Sequence, residues 1–297
     1  MYNILKTCNN EYLNVETKLQ VFDTYVSSVL NYGCEVWGFN MAKDVEKIHT
    51  DFCKRILKVR NCTPHFMLYA ELGRFPLLIS RKIRIVKYWI KLLNTENIIL
   101  KSLYEDMLEN IDCRNWLSQV RDLLFSLGFG YVWYNQCVPN RKLFLAQLNT
   151  VLNDFFIQEM NSYFENSNKC YLYRYLTDTH MIQYYIRKSL PDKYLFSLTQ
   201  FRLSSHELMI EKGRYQNIPR GGRLCQKCSL HEVEDEFHFI FVCPCYRDLR
   251  VKYLNRYYYT RPSMFKLVNL LSVKNKTKLC NLARFLISAF ARRKENL

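Results

Sequence analysis

The sequence predicts a mainly α-helical fold, and three observations carry that prediction. Glycine (8) and proline (7) are scarce among 297 residues, so few positions interrupt a helix or supply the tight turns that many short strands need. Apolar residues recur at three- and four-residue steps along much of the chain, the spacing of a helix with one buried face. The β-favouring residues Tyr (22) and Phe (19) fall mostly at that helical spacing rather than in alternation. Hydrophobic residues at 49% and charged residues at 24% suit a folded chain and exclude a disordered one.

Residues 15–60 read as two helices around a turn. In ETKLQVFDTYVSSVL, the residues Leu19, Phe22, Tyr25, Val26 and Leu30 share one face. NYGCEVWG interrupts with Gly33 and Gly38, where Glu35 and Trp37 read as packing and turn residues. DVEKIHTDFCKRILKV then resumes with Val45, Ile48, Phe52, Ile56 and Val59 inward, and Lys54, Arg55 and Lys58 off that stripe. RKIRIVKYWIKLLN, residues 81–94, is the cleanest amphipathic helix. At about 100° per residue, Arg84, Lys87 and Lys91 fall in one sector, opposite Ile83, Val86, Trp89, Ile90 and Leu93. No carboxylate interrupts the basic face, as a phosphate-facing stripe requires, yet a plain solvated face explains it equally well.

Between residues 100 and 195, WLSQVRDLLFSLGFGYVW and FLAQLNTVLNDFFIQEM predict helices, while SNKCYLYRYLTDTH fits helix or strand. Leu190 before Pro191 marks a boundary. FSLTQFRLSSHELMIEKGRY then leads through the polar loop QNIPRGGR into a cysteine cluster. TKLCNLARFLISAFARR closes with Leu279, Leu282, Phe285, Leu286 and Phe290 inward. The expected division is 1–60, 61–194 and 195–297, with no internal repeat or long linker.

Forty-three Lys+Arg against 27 Asp+Glu leave a net charge of +16. A field of that size attracts polyanions, nucleic acid first and an acidic membrane surface second. The opening MYNILKTCNNEYLN has neither the basic start nor the apolar stretch of a secretory signal, and no apolar run approaches about 18 residues. An intracellular protein, nuclear or cytoplasmic and neither secreted nor membrane-spanning, is therefore expected. Twelve cysteines in a reducing compartment are mostly buried thiols, and only a clustered subset merits a metal reading.

That subset is Cys225-x2-Cys228-x9-His238-x4-Cys243. A C-x2-C pair sets two thiolates at one turn, and a His and Cys around a short helix close a tetrahedral shell. Thiolates with one imidazole select zinc over magnesium or calcium, which want oxygen. Four protein ligands leave no position for a reacting water, so the expected cofactor is one structural zinc ion. Pro244 biases Cys243 out of the helical region and lets its thiolate turn back. Cys245 competes for the fourth place and His231 for the imidazole, while buried thiols with a surface histidine are the plain alternative. Glu232, Glu234, Asp235 and Glu236 suit a helix start but make the segment a poor phosphate grip. Arg220, Arg223 and Lys227 are the nearby candidates for that contact. His206 reads as a hydrogen-bonded structural residue. No phosphate loop, nucleophile elbow, H-E-x-x-H helix or Asp-Asp pair occurs.

Three stretches resemble, in order, the C-terminal region of non-LTR (LINE-type) retrotransposon polyproteins. The first is LNYGCEVWGF with the downstream ELGRFPL, where Tyr32, Gly33, Glu35, Trp37 and Gly38, then Glu71, Leu72, Gly73, Arg74 and Pro76, match signatures that follow the polymerase palm. In the second, FRLSSHELMIEKGRY, the matching residues are Arg202, His206, Glu211, Gly213 and Arg214. The third is the cysteine cluster, which is similar to the family's terminal knuckle and marks Cys225, Cys228, His238 and Cys243 as its ligands. The resemblance implies a thumb-like helical segment, a helical connector and a zinc-knuckle unit flanked by helices. It also implies contact with template RNA or target DNA, largely independent of sequence, beside an active site located elsewhere. The family's aromatic-x-Asp-Asp motif and endonuclease have no counterpart here, so a non-catalytic remnant is expected. Lys54, Arg55, Lys58, Arg84, Lys87 and Lys91 would meet phosphates. A zinc-stapled scaffold module for protein partners, or a decayed fragment without selected function, are the rival expectations.

Overall fold

Few breakers and long apolar stripes give helices joined by turns. The computed structural model describes residues 13–177 and 180–295, among which β-structure is limited to two antiparallel bridges, Leu72 with Ile182 and Leu224 with Val233. The fold is mainly α, as expected. SNKCYLYRYLTDTH, open to either reading, forms the short 3-10 turns Asn168–Cys170 and Tyr173–Tyr175. No helix among the described residues is long and apolar enough to cross a membrane. Two compact units form, both discontinuous in sequence. The first gathers described residues 19–50 and 75–160, and the second those within 9–18, 51–74 and 161–297.

The first unit is built on the helix Leu77–Leu93. Its opening amides, Leu77 N and Leu78 N, donate to the Glu46 carboxylate at 3.1 and 2.8 Å, and Arg81 Nη2 reaches the same carboxylate at 3.1 Å. A carboxylate suits that place because the first helical amides lack partners and the helix dipole is positive there. Glu46 belongs to the helix Lys43–Leu57, whose inward face is rotated from the expected stripe. Glu46 and His49 are buried, while Val45 and Ile48 are half-buried. On Leu77–Leu93, Val86, Trp89 and Ile90 are buried as expected, but Ile85 takes the place read for Ile83. Trp89 stacks on Trp133 with centroids 5.9 Å apart, and its indole donates to Tyr104 Oη at 3.2 Å. A buried tryptophan needs such a partner for its N–H.

One expected core residue lies outside. Tyr25 is 58% exposed, whereas Leu19, Phe22 and Val26 are buried. The helix opening at Val15–Val21 widens into the π-helical turn Phe22–Ser27. Its longer turn changes the phase of the stripe and carries Tyr25 to the surface.

The second unit closes around a buried carboxylate, Glu71, at the end of the helix His65–Leu72. Its Oε1 accepts from Arg202 Nε at 2.8 Å and from the Tyr185 hydroxyl at 2.6 Å, and its Oε2 accepts from Tyr173 at 2.6 Å. Arg202 also donates to the Leu271 carbonyl at 2.7 Å and to Gln183 Oε1 at 3.2 Å. Burial opposes the Arg202 charge, but Glu71 beside it outweighs burial and holds the guanidinium above its ordinary pKa. Burial, with the Glu71 charge adding, pushes both tyrosine hydroxyls well up. Gly73 follows with φ +60, and a Cβ there would stand 2.5 Å from Ile182 N. Only glycine accepts both that backbone and that approach.

Arg202→Met should cost about 3–5 kcal/mol of stability, because it leaves the Glu71 carboxylate buried without its cation. Urea unfolding measures this. Glu71→Gln combined with Arg202→Met should cost less than the two single changes added together, since the pair acts as one unit.

Candidate metal centre

The ligand loop starts from a short antiparallel pairing. Cys225 N donates to Glu232 O at 2.8 Å and Glu234 N to Arg223 O at 2.9 Å, flanking the Leu224–Val233 bridge. The pairing holds Cys225 and returns the chain toward His238. Gly213 sits beneath it, where a Cβ would come within 2.6 Å of the Arg223 side chain. Arg223 is occupied with the backbone, donating to Ile218 O and Ile210 O at 2.9 Å each.

His238 opens the π-helical turn His238–Val242, and Cys243 N donates to His238 O at 2.8 Å. This i to i+5 closure accounts for the x4 spacing. In an α-helix, five positions advance about 500°, leaving the two side chains about 140° apart. The wider π-turn brings positions i and i+5 much closer to one face. Cys243 then leaves the helix with ψ 119, as its place before Pro244 requires. Asp235 Oδ1 accepts from His238 N at 2.9 Å and fixes the start of the turn.

The donor atoms of Cys225, Cys228, His238 and Cys243 all lie within 4.8 Å of one another, and all but Cys228 belong to buried residues. Cys228 Sγ and His238 Nε2 are 3.4 Å apart. Ligands of one tetrahedral zinc ion, with bonds of about 2.3 Å to sulfur and about 2.0–2.1 Å to nitrogen, stand about 3.5 Å apart. The other ring nitrogen, His238 Nδ1, is 3.1 Å from Glu232 Oε2. A carboxylate there orients the ring and leaves Nε2 free to ligate. The four residues can hold one metal ion. Cys245 stands apart from the group, its thiol donating to Lys227 O at 2.8 Å, and His231 is an exposed turn residue with φ +53.

A hydrogen bond from Cys243 draws the Cys225 thiol down, and that same bond, with burial, pushes Cys243 up. Burial pulls His238 down, but hydrogen bonds to Cys225 and Glu232 outweigh it and leave the imidazole above its ordinary value. Arg250 braces the site from behind, donating to the carbonyls of Cys243 at 2.7 Å and Ile240 at 3.2 Å.

No family model, curated protein or solved structure matches this chain. The chemistry of the residues alone therefore speaks for the site.

Two of the neighbouring acids are interior groups. Glu234 forms a paired contact with Arg293 of the terminal helix Lys276–Glu295, at 2.9 and 2.8 Å, and accepts from Met209 N at 2.7 Å. Glu236 Oε1 lies 3.0 Å from His206 Nε2 and accepts from Ser204 Oγ at 3.1 Å, so His206 is hydrogen-bonded as read. Sequence reasoning missed these pairings, and Arg293, set in the basic run ARRK, carries no local sign of burial. The basic candidates are placed unevenly. Lys87, Lys91, Arg55 and Lys58 are exposed, Lys54 pairs with Asp51 at 3.6 Å, and Arg84 Nη1 reaches Asn31 O at 3.4 Å. Arg220 is 3.7 Å from Asp235 and lies over the Tyr171 ring at 4.1 Å, and Lys227 is half-buried beside the ligands.

Purified protein should contain about one metal ion per chain by elemental analysis, and Cys225→Ser with Cys228→Ser should abolish it. Protease should then cut rapidly after residue 195, because binding energy at such a site is folding energy. Glu232→Gln should weaken metal affinity by about 10–100-fold while keeping the stoichiometry at saturation. In a separate contact, Arg292 holds the Asp248 carboxyl down to about 2. A depressed carboxylate stabilises the fold above its ordinary range near 3.8, and that contribution disappears as pH falls through the folded value. An NMR titration should place Asp248 near that low value, and in Arg292→Gln back in the ordinary range.

Proposed function

We propose that this chain is a nucleic-acid-binding protein without catalytic chemistry of its own, stapled near its C-terminus by one structural zinc ion. The closed cluster of three thiols and one imidazole carries the zinc reading. Soft sulfur donors with an imidazole favour zinc, and four protein ligands leave no place for a reacting water. The +16 net charge and the exposed Arg55, Lys58, Lys87 and Lys91 support backbone-phosphate binding to RNA, DNA or both, with little sequence preference. The motif order supports a C-terminal portion of a LINE-type reverse transcriptase, acting in a nuclear or cytoplasmic setting. Within that portion, Glu71 of the first motif group and Arg202 of the second form one buried ion pair.

A second reading, a scaffold for protein partners, is favoured by the exposed Tyr25, Val29, Tyr32 and Val36. Salt separates the two. Binding to single-stranded RNA and to duplex DNA should weaken steeply between about 50 and 200 mM salt. Absence of binding at low salt, or affinity that stays flat as salt rises, would leave the scaffold reading. Elemental analysis should identify the bound metal as zinc.

A further inference from the structure

The second unit contains a groove of about 700 Å³ that no motif in the sequence announces. Four cations line it, Lys58, Arg60, Lys193 and Lys294, against one carboxylate, Glu207. Arg60 is paired with Glu207 at 3.2 Å, while Lys58, whose Nζ lies over the Phe196 ring at 5.7 Å, Lys193 and Lys294 have no carboxylate partner among the described residues. These lysines come from sequence positions far apart, so the gathering is a product of the fold. The groove is also apolar, with Phe196 and Phe290 among its walls. Phe290 is backed by Phe239, with centroids 4.7 Å apart at 29°.

The frame is built rather than loose. Gln200 Nε2 donates to Lys58 O at 2.6 Å, and Arg60 N donates to Ser205 Oγ at 2.8 Å. His206 lines the groove and is 5% exposed, with Nε2 on Glu236 and Nδ1 lacking any hydrogen-bond partner among the described residues. The volume lies within the roughly 300–1,000 Å³ of built ligand sites.

We propose that this groove seats an unpaired nucleotide of a single-stranded nucleic acid, its phosphate met by Lys58, Lys193 and Lys294 and its base lying against Phe196. The inference rests on the nucleic-acid reading above and names a place for it. A nucleotide offers an anion and a flat apolar face together, the two features that the lining combines. An acidic peptide would satisfy the lysines but leave the phenylalanine walls unmatched. A duplex keeps its bases stacked and away from a side wall.

Fluorescence anisotropy with a labelled 12-nucleotide RNA, its duplex and a polyglutamate peptide tests this in the full chain. Lys193→Gln with Lys294→Gln changes two exposed side chains, and should lower the slope of log affinity against log salt by about 1.4, from two phosphate contacts at about 0.7 each. Phe196→Ala should weaken single-strand binding about tenfold, leave that slope unchanged and spare duplex binding. Lys87→Gln with Lys91→Gln should leave the Phe196 effect intact. Wild-type protein that binds none of the probes overturns both the nucleic-acid reading and the groove. Wild-type binding with an unchanged slope in the lysine pair overturns the groove alone. Polyglutamate bound as tightly as RNA, with the same dependence on Phe196, overturns the nucleotide as occupant.

Discussion

A carboxylate removed from water must be met by a cation and by donors for its remaining lone pairs. Glu71 imposes that constraint on the second unit. Arg202, Tyr173 and Tyr185 converge on its two oxygens from three separate segments. Arg202 passes the constraint onward to the Leu271 carbonyl. A single buried charge thereby sets where these stretches of chain meet, and apolar packing fills the space around them.

The same solution recurs at smaller scale. Glu234 meets Arg293 and the Met209 amide, and Glu236 meets His206 and Ser204. Both acids lie between Cys228 and His238, so the loop that presents the metal-competent residues is tied into the core through its charges. A metal-binding loop gains most from such ties when it has few apolar residues to bury. Here the acidic character that makes the loop a poor grip for phosphate serves to hold it. The basic groove lined by Lys58, Lys193 and Lys294 lies within the same unit, and the anion-attracting and acid-rich features of the unit use different residues.

Several features were legible from residue order alone. The scarcity of helix breakers and the three- and four-residue steps identify a mainly α chain, and Leu19, Phe22, Val26, Phe52 and Ile56 are core residues as the stripes require. The C-x2-C pair with its downstream His and Cys marks the four residues whose donor atoms cluster. Pro244 foretells the departure of Cys243 from the helix. Each of these signals is local, because propensity, periodicity and ligand spacing act over a few turns of chain.

Other features depended on contacts between distant residues. The π-turn at Phe22–Ser27 exposes Tyr25, and the one at His238–Val242 lets the x4 spacing bring His238 and Cys243 into one donor cluster. Glu46 turns inward because the amides of Leu77 and Leu78 need an acceptor. The segments that gather into each unit are interleaved along the chain, and residue order carries no mark of which acid will meet which arginine. Helicity and the Cys-x2-Cys…His…Cys pattern were written in short-range spacing, while the fold decided that His238 and Cys243, not His231 and Cys245, complete the cluster. Which charges are buried and which lysines share a groove emerged only in the folded chain, because desolvation and pairing are set by neighbours that folding brings together.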